Sequence, residues 1–212
     1  MTYIDNFSTD RFTSGDYTLD LGSPPPASVV PHAMTVLGTS YVRWLDERSV
    51  LTVPFSCEMD VLAMPLAPTL IAVGVATPDI LNGIDVGFAS GSFIANVNDQ
   101  ADTGDLVSGT TAMTWPTGDI TLAVSLAADG SYVASLGVNT FTATVAPALM
   151  AALAARTLYP FGYIVGDSLS GHDVVASEWR HSEAAPPPPP PAAVGSIVAG
   201  PHLTGFRPSR GR

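Results

Sequence analysis

Between residues 119 and 145 apolar side chains recur at every second position: Ile120, Leu122, Val124 and Leu126, then Tyr132, Ala134 and Leu136, then Phe141, Ala143 and Val145. A period of two places these side chains on one face of a strand and the intervening small or polar ones on the other. Asp129-Gly130 supplies the positive φ angles of a tight hairpin turn, and Gly137-Val138-Asn139 supplies a second turn. Three short strands joined this way cannot bury their apolar face alone, so the pattern predicts a second sheet packed against them.

The alternation is longest at 50–64. Leu51, Val53, Phe55, Cys57, Met59, Val61 and Ala63 fall on one face, and Thr52, Pro54, Ser56, Glu58 and Asp60 on the other. Pro54 has no amide hydrogen to donate to a ladder, which predicts an edge or a bulge there. Residues 69–76 are apolar almost throughout, as in a strand covered on both faces. A hairpin is expected at 84–97 around Ser90-Gly91-Ser92, and a strand or hairpin broken at Gly38 over 34–45. Residues 1–23 read as two strands about a turn at Ser14-Gly15-Asp16, before Pro24-Pro25-Pro26 breaks regular structure. An acidic loop is expected at 98–109. One helix is predicted at 147–156, where a proline opens an alanine-rich run. Strands at 161–165 and 173–180 close the sandwich.

Composition extends this picture. With 212 residues, 46% apolar, only 13% charged, and 19 Gly and 19 Pro, the chain suits one large all-β domain at 1–183 rich in turns. From residue 184 the character changes. Six consecutive prolines at 186–191 predict a stiff polyproline II rod, and the remainder to 212 is too small for a core of its own. Composition alone reads 184–212 as a disordered tail. The alternative is an arm that docks on a partner chain, with Ile197, Val198, Leu203 and Phe206 as apolar anchors and Arg207, Arg210 and Arg212 as ion-pair donors.

The net charge is −11, with no lysine, and the charge is unevenly placed. All 19 acidic residues precede residue 184 with five arginines, leaving the body at −14 and the arm at +3. An acidic body excludes nucleic-acid binding through phosphate neutralisation. Cys57 is the single cysteine, so it forms no internal disulfide and reads as a buried, inert thiol. The first ten residues lack the basic start and apolar run of a signal peptide, and the longest apolar run, 146–155, is too short to span a bilayer. The expectation is a protein made in the cytoplasm and not inserted in a membrane.

Four marks together resemble the concanavalin A-like, laminin G-like jelly roll across 1–183. They are Asp5-Asn6-Phe7, the alternating strand at 50–64, the Leu122…Asp129-Gly130…Leu136-Gly137 unit and Gly171…Val174…Trp179. The resemblance implies an antiparallel two-sheet jelly-roll sandwich with one short helix and an extended Pro-rich C-terminal arm. The Ala, Gly and Pro richness and lack of Lys are further similar to laminin G-like virion proteins of tailed bacteriophages, minor tail or head-decoration components. That likeness implies a non-enzymatic virion structural protein on tail or capsid, held by its arm to other virion proteins in a homo- or hetero-oligomeric assembly. The alternative is a lectin-like tail module contacting host surface polysaccharide.

Jelly-roll glycosidases that resemble this fold carry Glu-x-Asp-x-x-Glu, and retaining hydrolysis needs two carboxyls about 5 Å apart. Glu58-Met59-Asp60 matches the first part, but Ala63 stands at the third acidic position. The expectation is therefore a polar strand face, no catalytic residues and no enzyme. Gly166-Asp167-Ser168-Leu169 spells a serine esterase motif, yet no Asp-x-x-His follows; the nearest stretch is Glu178-Trp179-Arg180-His181. Asn96, Asn98, Asp99, Asp102 and Asp105 gather oxygen ligands of the kind Ca²⁺ takes, with Asp99, Asp102 and Asp105 the first suspects. No other cofactor is expected, since His32, His172, His181 and His202 lack metal-ligand spacing. Trp115, on a loop beside Pro116 and Gly118, is the candidate for stacking on a sugar, whereas Trp44 and Trp179 read as core.

Overall fold

The computed structural model describes residues 2–7, 11–12, 14–21, 28–30, 33–37, 40–64, 66–79, 82–99, 107–166 and 173–182. The arm at 184–212 with all seven of its proposed anchors, and the carboxylates Asp102 and Asp105, lie outside these residues. In chain order the strands are β1 (Thr2–Asp5), β2 (Thr18–Leu21), β3 (Ser28–Val30), β4 (Ala33–Val36), β5 (Tyr41–Leu45), β6 (Phe55–Val61), β7 (Leu70–Ala76) and β8 (Asn82–Ala89). They continue as β9 (Ser92–Asp99), β10 (Val107–Ala112), β11 (Ile120–Leu126), β12 (Ser131–Leu136) and β13 (Asn139–Thr144). The helix α1 (Pro147–Ala154) follows, then β14 (Tyr159–Val165) and β15 (Val174–Ser182).

These strands form two antiparallel sheets. Sheet I runs β13-β12-β11-β6-β15-β4-β3, with β1 also on β15; sheet II runs β10-β9-β8-β7-β14-β5-β2. The unit at 119–145 forms as its periodicity predicts, β11 pairing β12 and β12 pairing β13, with Gly130 at a φ of 85°. Its apolar faces bury Leu122, Val124, Tyr132 and Leu136 against sheet II. Burying such side chains contributes about 1.5–3 kcal/mol each, which is why the alternation decides the face.

Several expectations are corrected. The strand at 50–64 is shorter, β6 starting after Pro54, and it is central between β11 and β15 rather than an edge. Because Pro54 precedes the ladder, it removes no donor from it. The two N-terminal strands form on either side of the expected turn but part to different sheets: β1 pairs β15 in sheet I and β2 pairs β5 in sheet II. Likewise β4 and β5 diverge into different sheets. The acidic loop ends early, since 107–112 is the edge strand β10.

Trp44 and Trp179 meet edge-on between the sheets at 5.7 Å, with Tyr17 and Phe12 on either side. Cys57 is fully buried on β6, and burial pushes its thiol pKa up, as for an inert thiol. One end of the sandwich is closed by a polar lock. Asp46, 0% exposed, accepts a hydrogen bond from Arg48 Nε at 2.8 Å and lies 3.5 Å from His181 Nε2. Arg48 also pairs with Asp16 at 3.1 Å, and Tyr3 stacks on His181 at 4.6 Å. Buried Asp5 accepts from the Phe7 amide at 2.7 Å and from the Tyr17 hydroxyl, and pairs with Arg11 at 3.2 Å. The lock ties β1 and β15 of sheet I to the strand ends of sheet II.

Candidate functional site

Strand alternation sorts sheet II into two faces. Val42 and Trp44, Ile71 and Val73, Ile84 and Val86, Phe93 and Ala95 fill the core, so the residues between them point outward. The ladder registers set these outward residues in rows across the sheet. One row is Arg43, Tyr163, Ala72, Gly87 and Ile94; the next is Leu45, Phe161, Gly74, Asp85 and Asn96. All of them except Leu45 and Gly74, which are buried, line a groove of about 210 Å³.

The middle of the sheet, at the groove's Gly87 and at buried Gly74 beside it, is bare for a steric reason. A Cβ on Gly74 would stand 2.0 Å from the Ile84 carbonyl oxygen, and one on Gly87 would stand 2.4 Å from that of Ile71. Neither position accepts a side chain without moving the neighbouring strand. One wall is aromatic: Phe161 packs with Leu45, Ala76, Tyr159 and Tyr163 in an apolar cluster separate from the main core. The Arg43 guanidinium lies over the Tyr163 ring at 5.6 Å. Burial lowers the pKa of Arg43 and raises that of Tyr163.

The other side of the floor is polar. Asn96 Nδ2 donates to Asp85 Oδ1 at 3.1 Å, a bond between directly opposed residues of β8 and β9. From the core side the Tyr132 hydroxyl donates to the Asp85 carbonyl oxygen at 2.8 Å, which pins this pair in place. Burial raises the Asp85 carboxyl pKa to about 6, the Asn96 hydrogen bond offsetting part of the rise. A carboxyl that titrates near neutrality in a concavity can accept, donate or exchange a proton with a ligand, which is what marks such groups as site candidates.

The outer face of sheet I is arranged differently. Glu58 and Asp60 point outward from β6, as the alternation predicts, with Arg180 of β15 at 2.9 Å from each. Glu178 also pairs with Arg180, and Thr121 Oγ1 donates to Asp60 Oδ1 at 2.5 Å. A third carboxylate thus comes from the neighbouring strand, while Ala63 is exposed beyond β6, its amide donating to Asp119. One guanidinium engages all three acids, an arrangement that orders a strand face. Burial acts to lower the Arg180 pKa, but the surrounding acids outweigh it and raise it.

Other sequence candidates fare unequally. Trp115 is only 7% exposed and packs edge-on against Phe88 at 5.0 Å, so its ring presents no face to a sugar. Its loop folds back because an indole recovers more free energy in the core than in water. Asp99 is buried and pairs with Arg156 at 3.0 Å. Among the described residues no group of three His, Cys, Asp or Glu could hold a metal ion. Asp167 and Ser168 lie outside the described residues. Of the groove residues the sequence pattern singles out Asn96 alone, as a calcium ligand, and leaves Arg43, Asp85 and Tyr163 unmarked. The legible signal was a lone Asp at an outward position between Gly83 and Gly87 in an otherwise apolar strand.

No family model matches the chain, and no curated protein matches it in sequence. Solved structures do. A laminarinase from Flavobacterium sp. UMI-01 superposes with a TM-score of 0.63 at 10% identity, over 84% of this chain and 98% of that one. An endo-beta-1,3-glucanase from Pyrococcus furiosus gives 0.56 at 10% identity, over 84% and 92%. The carbohydrate recognition domain of Emp46p, in its metal-free form, gives 0.57 at 10% identity, over 85% and 95%. The fold is therefore the concanavalin A-like jelly-roll sandwich. The expectation of a non-enzyme is overturned: the similar structures are mostly enzymes. The virion resemblance gains no support from them.

Proposed function

We propose that the protein is a glycan-binding jelly-roll domain whose saccharide site is the groove on the outer face of sheet II. The observation that carries this reading is the groove itself: a bare Gly and Ala floor, an aromatic wall and a hydrogen-bonding pair, Asp85 and Asn96, at its base. A sugar ring offers an apolar C–H face and a rim of hydroxyls, and needs both kinds of surface at once. Pockets that are mostly apolar with a few fixed polar groups meet that need. The names of the similar structures, laminarinase, glucanase and carbohydrate recognition domain, support a glycan as the ligand class.

Calorimetric titration with a panel of oligosaccharides tests it. The expected result is saturable binding that weakens about tenfold or more in Tyr163→Ala and in Asn96→Ala, since each removes one half of the recognition surface. Absence of binding across the panel, or binding indifferent to both variants, would overturn the reading.

The Asp85 carboxyl near 6 favours a second reading, in which the bound glycan is also processed and Asp85 transfers a proton. Release of new reducing or unsaturated ends by the wild type and its abolition in Asp85→Asn would support it. No product from any bound glycan would reject it.

A further inference from the structure

We propose that the groove selects a saccharide bearing a free amino group, with the Asp85 carboxylate receiving the ammonium. This rests on the groove being the glycan site. Asp85 stands at the floor between Gly74 of β7 and Asn96 of β9, and the side chain that reaches its carboxylate is the neutral Asn96 amide. Among the described residues no cation pairs with it. The Tyr132 hydroxyl beneath it is engaged with main-chain carbonyl oxygens. Arg43, the cation lining the groove, is on β5, three strand spacings from β8. At ~4.8 Å per spacing that is ~14 Å away, and its guanidinium covers Tyr163.

A desolvated carboxylate without a counter-charge is costly to keep ionised, which is the physical cause of its raised pKa. An incoming ammonium supplies the missing partner, and a charge-assisted hydrogen bond is about twice as strong as a neutral one. The low floor at Ala72 and Gly87, where a Cβ on Gly87 has no room, lets a sugar ring descend toward the carboxylate. The wider field agrees: a chain of net charge −11 draws a cationic oligomer and repels a uronate one. The acids of sheet I offer no equivalent, because Arg180 already serves Glu58, Asp60 and Glu178.

The test is titration of the full chain, at near-neutral pH, with glucosamine, N-acetylglucosamine, glucose and uronate oligomers of equal length. The glucosamine oligomer is expected to bind about tenfold tighter than its acetylated counterpart, with the uronate weakest. Asp85→Asn keeps the shape and removes the charge, and should bring the first two within about twofold. Circular dichroism and melting report its fold, and the wild-type ranking stands as a test without it. A preference that survives in a folded Asp85→Asn is long-range attraction to the acidic body and overturns the assignment. Equal binding of glucosamine, N-acetylglucosamine and glucose oligomers overturns it too, yet leaves the groove as a glycan site. If none of the oligomers binds, both readings fall.

Discussion

Asp46 is buried and Asp85 half-buried, yet the fold treats them in opposite ways. Burial alone would push the Asp46 carboxyl up, but the His181 ring beside it and hydrogen bonds from Arg48 outweigh it and hold the pKa at about 2. At Asp85 burial meets only the Asn96 amide, and the carboxyl rises to about 6. One charge is consumed in joining the two sheets. The other is left facing a groove. The contrast teaches that burial does not distinguish a structural acid from a functional one; the partner set does.

Removing each device should break the contrast in proportion to what the device supports. Asp46→Ala leaves buried His181 without its carboxylate and Arg48 with Asp16 alone, and is expected to cost about 3 kcal/mol, read by urea unfolding. Gly74→Ala forces the new methyl against the Ile84 carbonyl, 2.0 Å from where its carbon would stand. It should cost about 3 kcal/mol and abolish groove binding, because β7 and β8 must part. Arg180→Gln deprives three carboxylates of one partner, yet all are partly solvated, so the loss should stay below about 1 kcal/mol.

The pH dependence sharpens the comparison further. A depressed pKa confers stability that is present above the unfolded value, so the Asp46 contribution should be lost as pH falls from 3.8 through about 2. A raised pKa acts in the other direction: Asp85 should weaken the fold as pH rises from 3.8 through about 6. Melting temperature against pH checks both. Asp85→Asn should flatten the upper limb alone, and a flattened acid limb instead would sink the assignment of the two groups.

Much of the fold was legible because it rests on short-range physics. The period of two at 120–126 and 131–136, and the Asp129-Gly130 turn, need only a local chain to be read. Trp44, Trp179 and Cys57 read as core from the parity of their positions. The errors arose where a neighbour along the chain is not a neighbour in space. Residues 34–45 look like one strand or hairpin but feed two sheets, and Pro54 looks like an edge or bulge marker but stands just outside a central strand.

The candidate site divides along the same line. By itself the sequence determined that Asp85 points away from the apolar face of its strand, since alternation is a property of the backbone. It also determined that Gly74 and Gly87 add no side chains beside it. Only the tertiary structure decided that Asp85 meets Asn96, that Arg43 and Tyr163 join from β5 and β14, and that Trp115 is covered. Those outcomes depend on ladder register and sheet order, which long-range pairing sets and no local window contains.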